Sequence, residues 1–174
     1  MRSMVLAAAA LVVCISPVVA QAPVPDPAHL AEMKKLDWLV GKWEGMATYQ
    51  MGPDQKSTVT QVETIQSKLG GTLLVIEGLG KVGDKVVHEA FGIVHWDTGT
   101  KGLKLSAHLA DGRSVVADAK VTNGVLEWSF DTPQGSMRYV IERTEDGGWL
   151  EKGFRNRPGG TPVEFFEMKL VKVK

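Results

Sequence analysis

Leu103-Lys104-Leu105-Ser106-Ala107-His108-Leu109 alternates apolar and polar side chains, and Ala110-Asp111-Gly112 then interrupts the pattern. A period of two belongs to a β-strand, because successive side chains leave a pleated backbone on opposite faces. One face of this strand is therefore dry and the other wet. Asp-Gly and Asn-Gly favour two-residue hairpins, whose central positions need positive φ, so the chain is expected to reverse at 111–112 and return antiparallel.

The same punctuation runs outward in both directions from this strand. Turn signals fall about every ten residues, at Gly52-Pro53-Asp54, Gly70-Gly71, Gly83-Asp84, Thr98-Gly99, Asp111-Gly112, Asn123-Gly124, Pro133-Gln134-Gly135, Asp146-Gly147-Gly148 and Pro158-Gly159-Gly160. Nine turns separate ten candidate strands. A flat sheet of that size would leave its edges unpaired and its apolar face uncovered, so closure is expected. The fold class is all-β, an antiparallel up-and-down barrel of about ten strands. One segment is ambiguous: from Lys85 to Asp97, Val86, Ala90, Val94 and Trp96 mark one face as apolar while Val87, Phe91 and Ile93 mark the other. Alternation alone does not say which of these faces lines the interior.

Before the strands, Asp26-Pro27 reads as a helix start, with a carboxylate to cap free amides and a ring pre-set for the first turn. Leu30, Met33, Leu36, Trp38 or Leu39, and Val40 continue at near-helical spacing up to Gly41. This short amphipathic segment is expected to plug one end of the barrel. Residues 21–27, QAPVPDP, read as an extended linker.

The first twenty residues read as an export signal. Arg2 supplies a positive n-region, residues 4–15 are almost wholly apolar, Pro17 breaks the helix, and small residues at Ala20 and Ala22 offer cleavage sites. Twelve apolar residues fall short of the roughly twenty that span a bilayer. The expectation is a periplasmic or secreted protein that starts after Ala20 or Ala22, with residues 28–174 forming one domain and no stable membrane association after cleavage. Cys14, the sole cysteine, is preceded by Leu11-Val12-Val13 rather than by a lipoprotein signal. The mature part then has no thiol, which excludes disulfides and thiolate chemistry, so core packing alone must hold it together. Removing Arg2 leaves nineteen Lys and Arg against twenty Asp and Glu, interspersed along the chain. No basic stripe is present to displace counterions from nucleic acid.

Leu36-Asp37-Trp38-Leu39-Val40-Gly41-Lys42-Trp43-Glu44-Gly45 resembles the Gly-x-Trp opening of calycin-type barrels, the group that includes lipocalins, fatty-acid-binding proteins and nitrobindins. In those folds a short helix closes one end and the Trp packs at its base, so the resemblance implies a structural role for Trp43. The mature chain also resembles a bacterial family of secreted proteins of unknown function. That likeness rests on this opening together with Ser67-Lys68-Leu69-Gly70-Gly71, His88-Glu89-Ala90-Phe91 and Ala110-Asp111-Gly112-Arg113-Ser114.

Candidate functional residues are few. His88, Glu63, Glu77 and Arg138 each fall in mid-strand among apolar residues, where a lumen-facing polar group would orient a ligand or act as a perturbed acid or base. His88 and Glu89 should face opposite ways unless a bulge intervenes, and His95 and Asp97 should share a face at a strand end. Nitrobindin-like barrels hold haem through a late histidine, yet no histidine follows His108, which leaves His88, His95, Tyr139 or Met168 as substitutes. No haem, metal or other cofactor is therefore expected. Ser114 lacks a nucleophile elbow, and Pro158-Gly159-Gly160-Thr161 lacks the lysine of a phosphate loop. The leading expectation is a protein that binds a small apolar or amphipathic ligand in the barrel lumen. The alternatives are a lumen hydrolase or isomerase using His88 and a carboxylate, and a filled barrel that serves as a structural or interaction module.

Overall fold

The computed structural model describes residues 24–52 and 54–173. The segment at 1–20 read as an export signal, Cys14, both expected cleavage positions and residues 21–23 of the expected linker lie outside the described residues. Helix α1 (Pro27–Lys34) starts as expected, with the Asp26 side chain accepting a hydrogen bond from the Ala28 N–H at 3.0 Å. It is shorter than the apolar spacing suggested. The chain turns through a 3-10 helix at Asp37–Leu39 instead, which points Leu36 and Leu39 into the barrel end, each at most 1% exposed.

Ten strands follow: β1 (Gly41–Gly52), β2 (Gln55–Lys68), β3 (Leu73–Val82), β4 (Lys85–Asp97), β5 (Gly102–Leu109), β6 (Ser114–Thr122), β7 (Val125–Thr132), β8 (Gly135–Arg143), β9 (Trp149–Asn156) and β10 (Val163–Lys172). Each is antiparallel to the next, and β1 pairs with β10 from Trp43 opposite Lys172 to Tyr49 opposite Phe166, which closes the barrel. Closure removes both sheet edges. The expected turns fall at the strand junctions, with Gly52 ending β1 and Gly135 opening β8. Asn123 and Gly124 take φ of 52° and 81°, the double positive geometry of a two-residue hairpin. Asp111-Gly112 differs: it sits in a four-residue loop, held by the Gly112 N–H donating to the Leu109 carbonyl and the Leu109 N–H donating to the Arg113 carbonyl, both at 2.9 Å.

On β5 the dry face points inward, with Leu103 and Leu105 buried. On β4 the inward set is His88, Ala90, Gly92, Val94 and Trp96. Val86 does not belong with them, because a register shift places it opposite Lys81 while His88 sits opposite Gly80. The extra residue, Val87, flips the parity, and Val86 is left exposed on the outer face.

The helical end is plugged by aromatic packing. Trp38, Trp43 and Trp149 meet edge to face with centroids 5.7 to 6.3 Å apart. Trp43 is 1% exposed, and its indole N–H donates to the Leu39 carbonyl at 2.7 Å, which ties the 3-10 turn to the barrel floor. Trp43 thus has the structural place that the resemblance implied. Among the described residues no helix is long and apolar enough to cross a membrane.

Candidate functional site

A cavity of about 870 Å³ occupies the barrel from its middle to the end away from the helix. It exists because several inward positions carry little or no side chain: Gly78 and Gly80 on β3, Ala90 and Gly92 on β4, and Ala107 on β5. The glycines also make room for neighbouring polar groups. A Cβ at Gly78 would lie 2.7 Å from a Glu63 carboxyl oxygen, and one at Gly80 would lie 2.8 Å from Gln61 Oε1. The opposite wall is aromatic, with Trp128 and Tyr139 stacked at 4.2 Å and nearly parallel.

Two of the four sequence candidates reach this cavity, Glu63 from β2 and His88 from β4. Glu77 and Arg138 do not. Glu77 points outward from β3 into a separate outer groove that it shares with Glu89, Phe91 and His108. Arg138 lies outside on β8, where its guanidinium donates to Glu127 at 3.0 Å and stacks over the Phe154 ring. Both lie in mid-strand as expected, and the structure corrects only their inward direction. His88 and Glu89 do face opposite ways, since the bulge falls before both of them.

Sequence reading missed the strongest polar feature, which is Glu151 on β9. Glu63 and Glu151 are 6% and 8% exposed, and the Gln61 amide N–H donates to Glu63 at 2.7 Å. Burial pushes the Glu63 carboxyl up to about 7, against the opposing effect of that hydrogen bond. Burial, reinforced by the charge of Glu63, pushes Glu151 up to about 8. The Trp149 indole lies beside Glu151 and offsets part of that rise, although its N–H makes no hydrogen bond of good geometry. Both carboxyls hold a proton far above the ordinary carboxylate range, because a charge there would be stripped of water. Tyr49 is pushed up to about 12 by burial and by the same two carboxyls, and Tyr139 is raised as well.

At the open end the polar groups are cationic but already engaged. Arg113 pairs with Asp111 at 2.8 Å, and the Arg155 guanidinium lies 5.2 Å over the Phe165 ring. Burial and Arg113 together lower the pKa of His88, so its imidazole is neutral at pH 7. Three residues that line the cavity each carry a buried polar atom without a hydrogen-bond partner: Gln61 Oε1, Trp128 Nε1 and Trp149 Nε1. Buried polar atoms are nearly always satisfied, so three exceptions around one cavity mark it as an unusual part of the interior.

The residues do not fit a haem held as in nitrobindin-like barrels. Strands β7 to β10 contain no imidazole. His95 and His108 face outward, and the His29 ring is engaged with the Thr72 carbonyl at 2.8 Å. Among the described residues no three His, Cys, Asp or Glu side chains converge as a cation site.

Fold and site together define a closed ten-stranded antiparallel barrel with a deep lumen cavity and a short helical plug. Residues 28–106 match the model of a family described as a protein of unknown function, DUF1579. That span carries Glu63 and His88 and stops before Arg113, Tyr139 and Glu151. The crystal structure of Rv2717c from M. tuberculosis aligns over 82% of this chain and 98% of that one, with a TM-score of 0.60 and 14% identity, a likeness of fold. Among curated proteins no sequence matches significantly.

Proposed function

We propose that this protein binds a small apolar or amphipathic molecule in its barrel lumen and has no catalytic step. One observation carries the reading: the lumen is an open cavity of about 870 Å³ lined mostly by apolar and aromatic side chains, with Glu63, His88 and Glu151 among them. Small-molecule sites are concave and mostly apolar, with a few placed polar groups, and usually measure about 300–1,000 Å³. A filled structural barrel would have packed that space. A hydrolase or isomerase built on His88 and a carboxylate is less well supported, because no hydrogen bond joins His88 to Glu63 or Glu151 among the described residues. The charged groups that perturb His88 are Arg113 and Asp111. Protein purified gently from its host should carry a small molecule that leaves on denaturation, whereas a barrel of bare polypeptide mass that also takes up no apolar probe argues for the structural alternative.

The protein works, on this reading, outside the cytoplasm. The motivation is the charged, apolar and small-residue order of residues 1–22. N-terminal sequencing of protein from the host should find Gln21 or Pro23 first. An intact Met1, or an acylated Cys14, would refute export by this signal.

A further inference from the structure

We propose that the cavity selects a ligand with a cationic nitrogen, an amine or amidinium, on an apolar or aromatic body, and that Glu63 and Glu151 supply its countercharge. This inference rests on the reading of the lumen as a ligand site. The geometry behind it is an imbalance of partners. Nine-tenths or more of each of Glu63 and Glu151 is buried, and among the described residues no Lys or Arg forms an ion pair with either. Every surface carboxylate in those pairs is matched by a cation of the chain itself. The chain therefore offers no cation that would let either carboxyl give up its proton, and a ligand cation seated beside them would supply that partner.

The second observation is Gln61, 2% exposed, which gives its N–H to Glu63 and turns an unpartnered oxygen into the same region. Once their protons are drawn off, the two carboxylates together with Gln61 Oε1 present a group of acceptors that matches an N–H-rich cation. The stacked rings of Phe130, Trp128 and Tyr139 make the facing wall an apolar surface against which an aromatic body can pack. An anionic ligand is the competing possibility, since Arg113 and Arg155 border the open end. Those cations are exposed, and both are already engaged, Arg113 by Asp111 and Arg155 by Phe165. Water and salt screen them, while the buried carboxyls are screened far less.

Three probes with one ring and different charge separate these cases: 1-naphthylmethylamine, 1-naphthalenemethanol and 1-naphthoic acid. Binding is measured by calorimetry on the full mature protein at about pH 8.5, above the folded-state values of both carboxyls. The amine should bind about tenfold tighter than the alcohol or better, and the acid weakest of all. In Glu63→Gln and in Glu151→Gln the ratio of amine to alcohol affinity should fall toward one. Alcohol or acid binding as tight as the amine overturns the cationic ligand and leaves the lumen site standing. Silence from all three overturns both.

Discussion

Glu151→Gln should make the protein more stable at high pH, by an amount on the order of 3–5 kcal/mol at about pH 9, and should flatten most of its loss of stability between about pH 4.5 and pH 8. The folded-state value of Glu151, about 8, lies above its model value of 4.5. The folded protein therefore keeps a proton that the unfolded chain has released across that interval. Stability from this group is fully present below about pH 4.5 and is lost as pH rises through about 8. Glu63, pushed up to about 7, adds a loss of the same sign over a lower window. The exposed carboxylates whose values are lowered, Asp97, Asp111, Asp146 and Glu167, lose their contribution only in acid. His88 acts in the opposite direction, because its lowered value weakens the fold as pH falls through the ordinary imidazole range. Comparing variant with parent at each pH cancels the distant groups, while Glu63, whose charge acts on Glu151, should itself titrate lower in the variant. Urea unfolding midpoints that fall equally with pH in both proteins would show that Glu151 is not a buried neutral acid.

The second large effect is at the other end of the barrel. Trp43→Ala should cost about 3–5 kcal/mol, the range for emptying a large aromatic site. The loss combines the packing of a side chain that is 1% exposed, two edge-to-face contacts with Trp38 and Trp149, and the hydrogen bond to the Leu39 carbonyl. Removing the last of these frees a carbonyl of the 3-10 turn and loosens the plug. Trp43→Phe drops the hydrogen bond and part of the buried ring, so its cost should lie between that of a lone hydrogen bond, about 1 kcal/mol, and that of Trp43→Ala. A denaturation midpoint of Trp43→Ala within error of the parent would contradict the floor assigned to Trp43.

Much of the barrel was legible because its information is local. Turn residues act on their own backbone, so Asn123-Gly124 or Gly83-Asp84 marks a reversal whatever surrounds it, and all nine reversals were placed correctly. Which face points inward depends on distant packing, and there the sequence was ambiguous. On β3 the inward residues beyond Ile76 are Gly78 and Gly80, which carry no apolar signature, while Val75 and Leu79 on the outer face do. Glu77 consequently read as a lumen residue. On β4 the bulge at Val87 broke a parity that the sequence showed as continuous. Arg138 sits between Met137 and Tyr139, and only the inward turn of those two shows that it points out. Glu151 left one faint signal, its alternation with Trp149 and Gly153. The pairing with Glu63 joins β2 to β9 across the lumen, and a sequence carries no trace of that until the barrel is closed. The carboxyl pair is therefore a property of the fold rather than of any motif.

The most direct test of a lumen that holds a ligand is native mass spectrometry of the protein from its host, with a variant whose cavity is narrowed. Gly92→Leu suits this purpose, because a Cβ there meets only ordinary contacts, Ser106 O at 3.5 Å and Ile76 Cβ at 3.6 Å, and the longer side chain projects into the lumen. The account predicts one bound small molecule on the parent, released on denaturation, and a clearly smaller bound fraction on the folded variant. The same adduct at the same occupancy on both proteins would place the molecule elsewhere and contradict a lumen site.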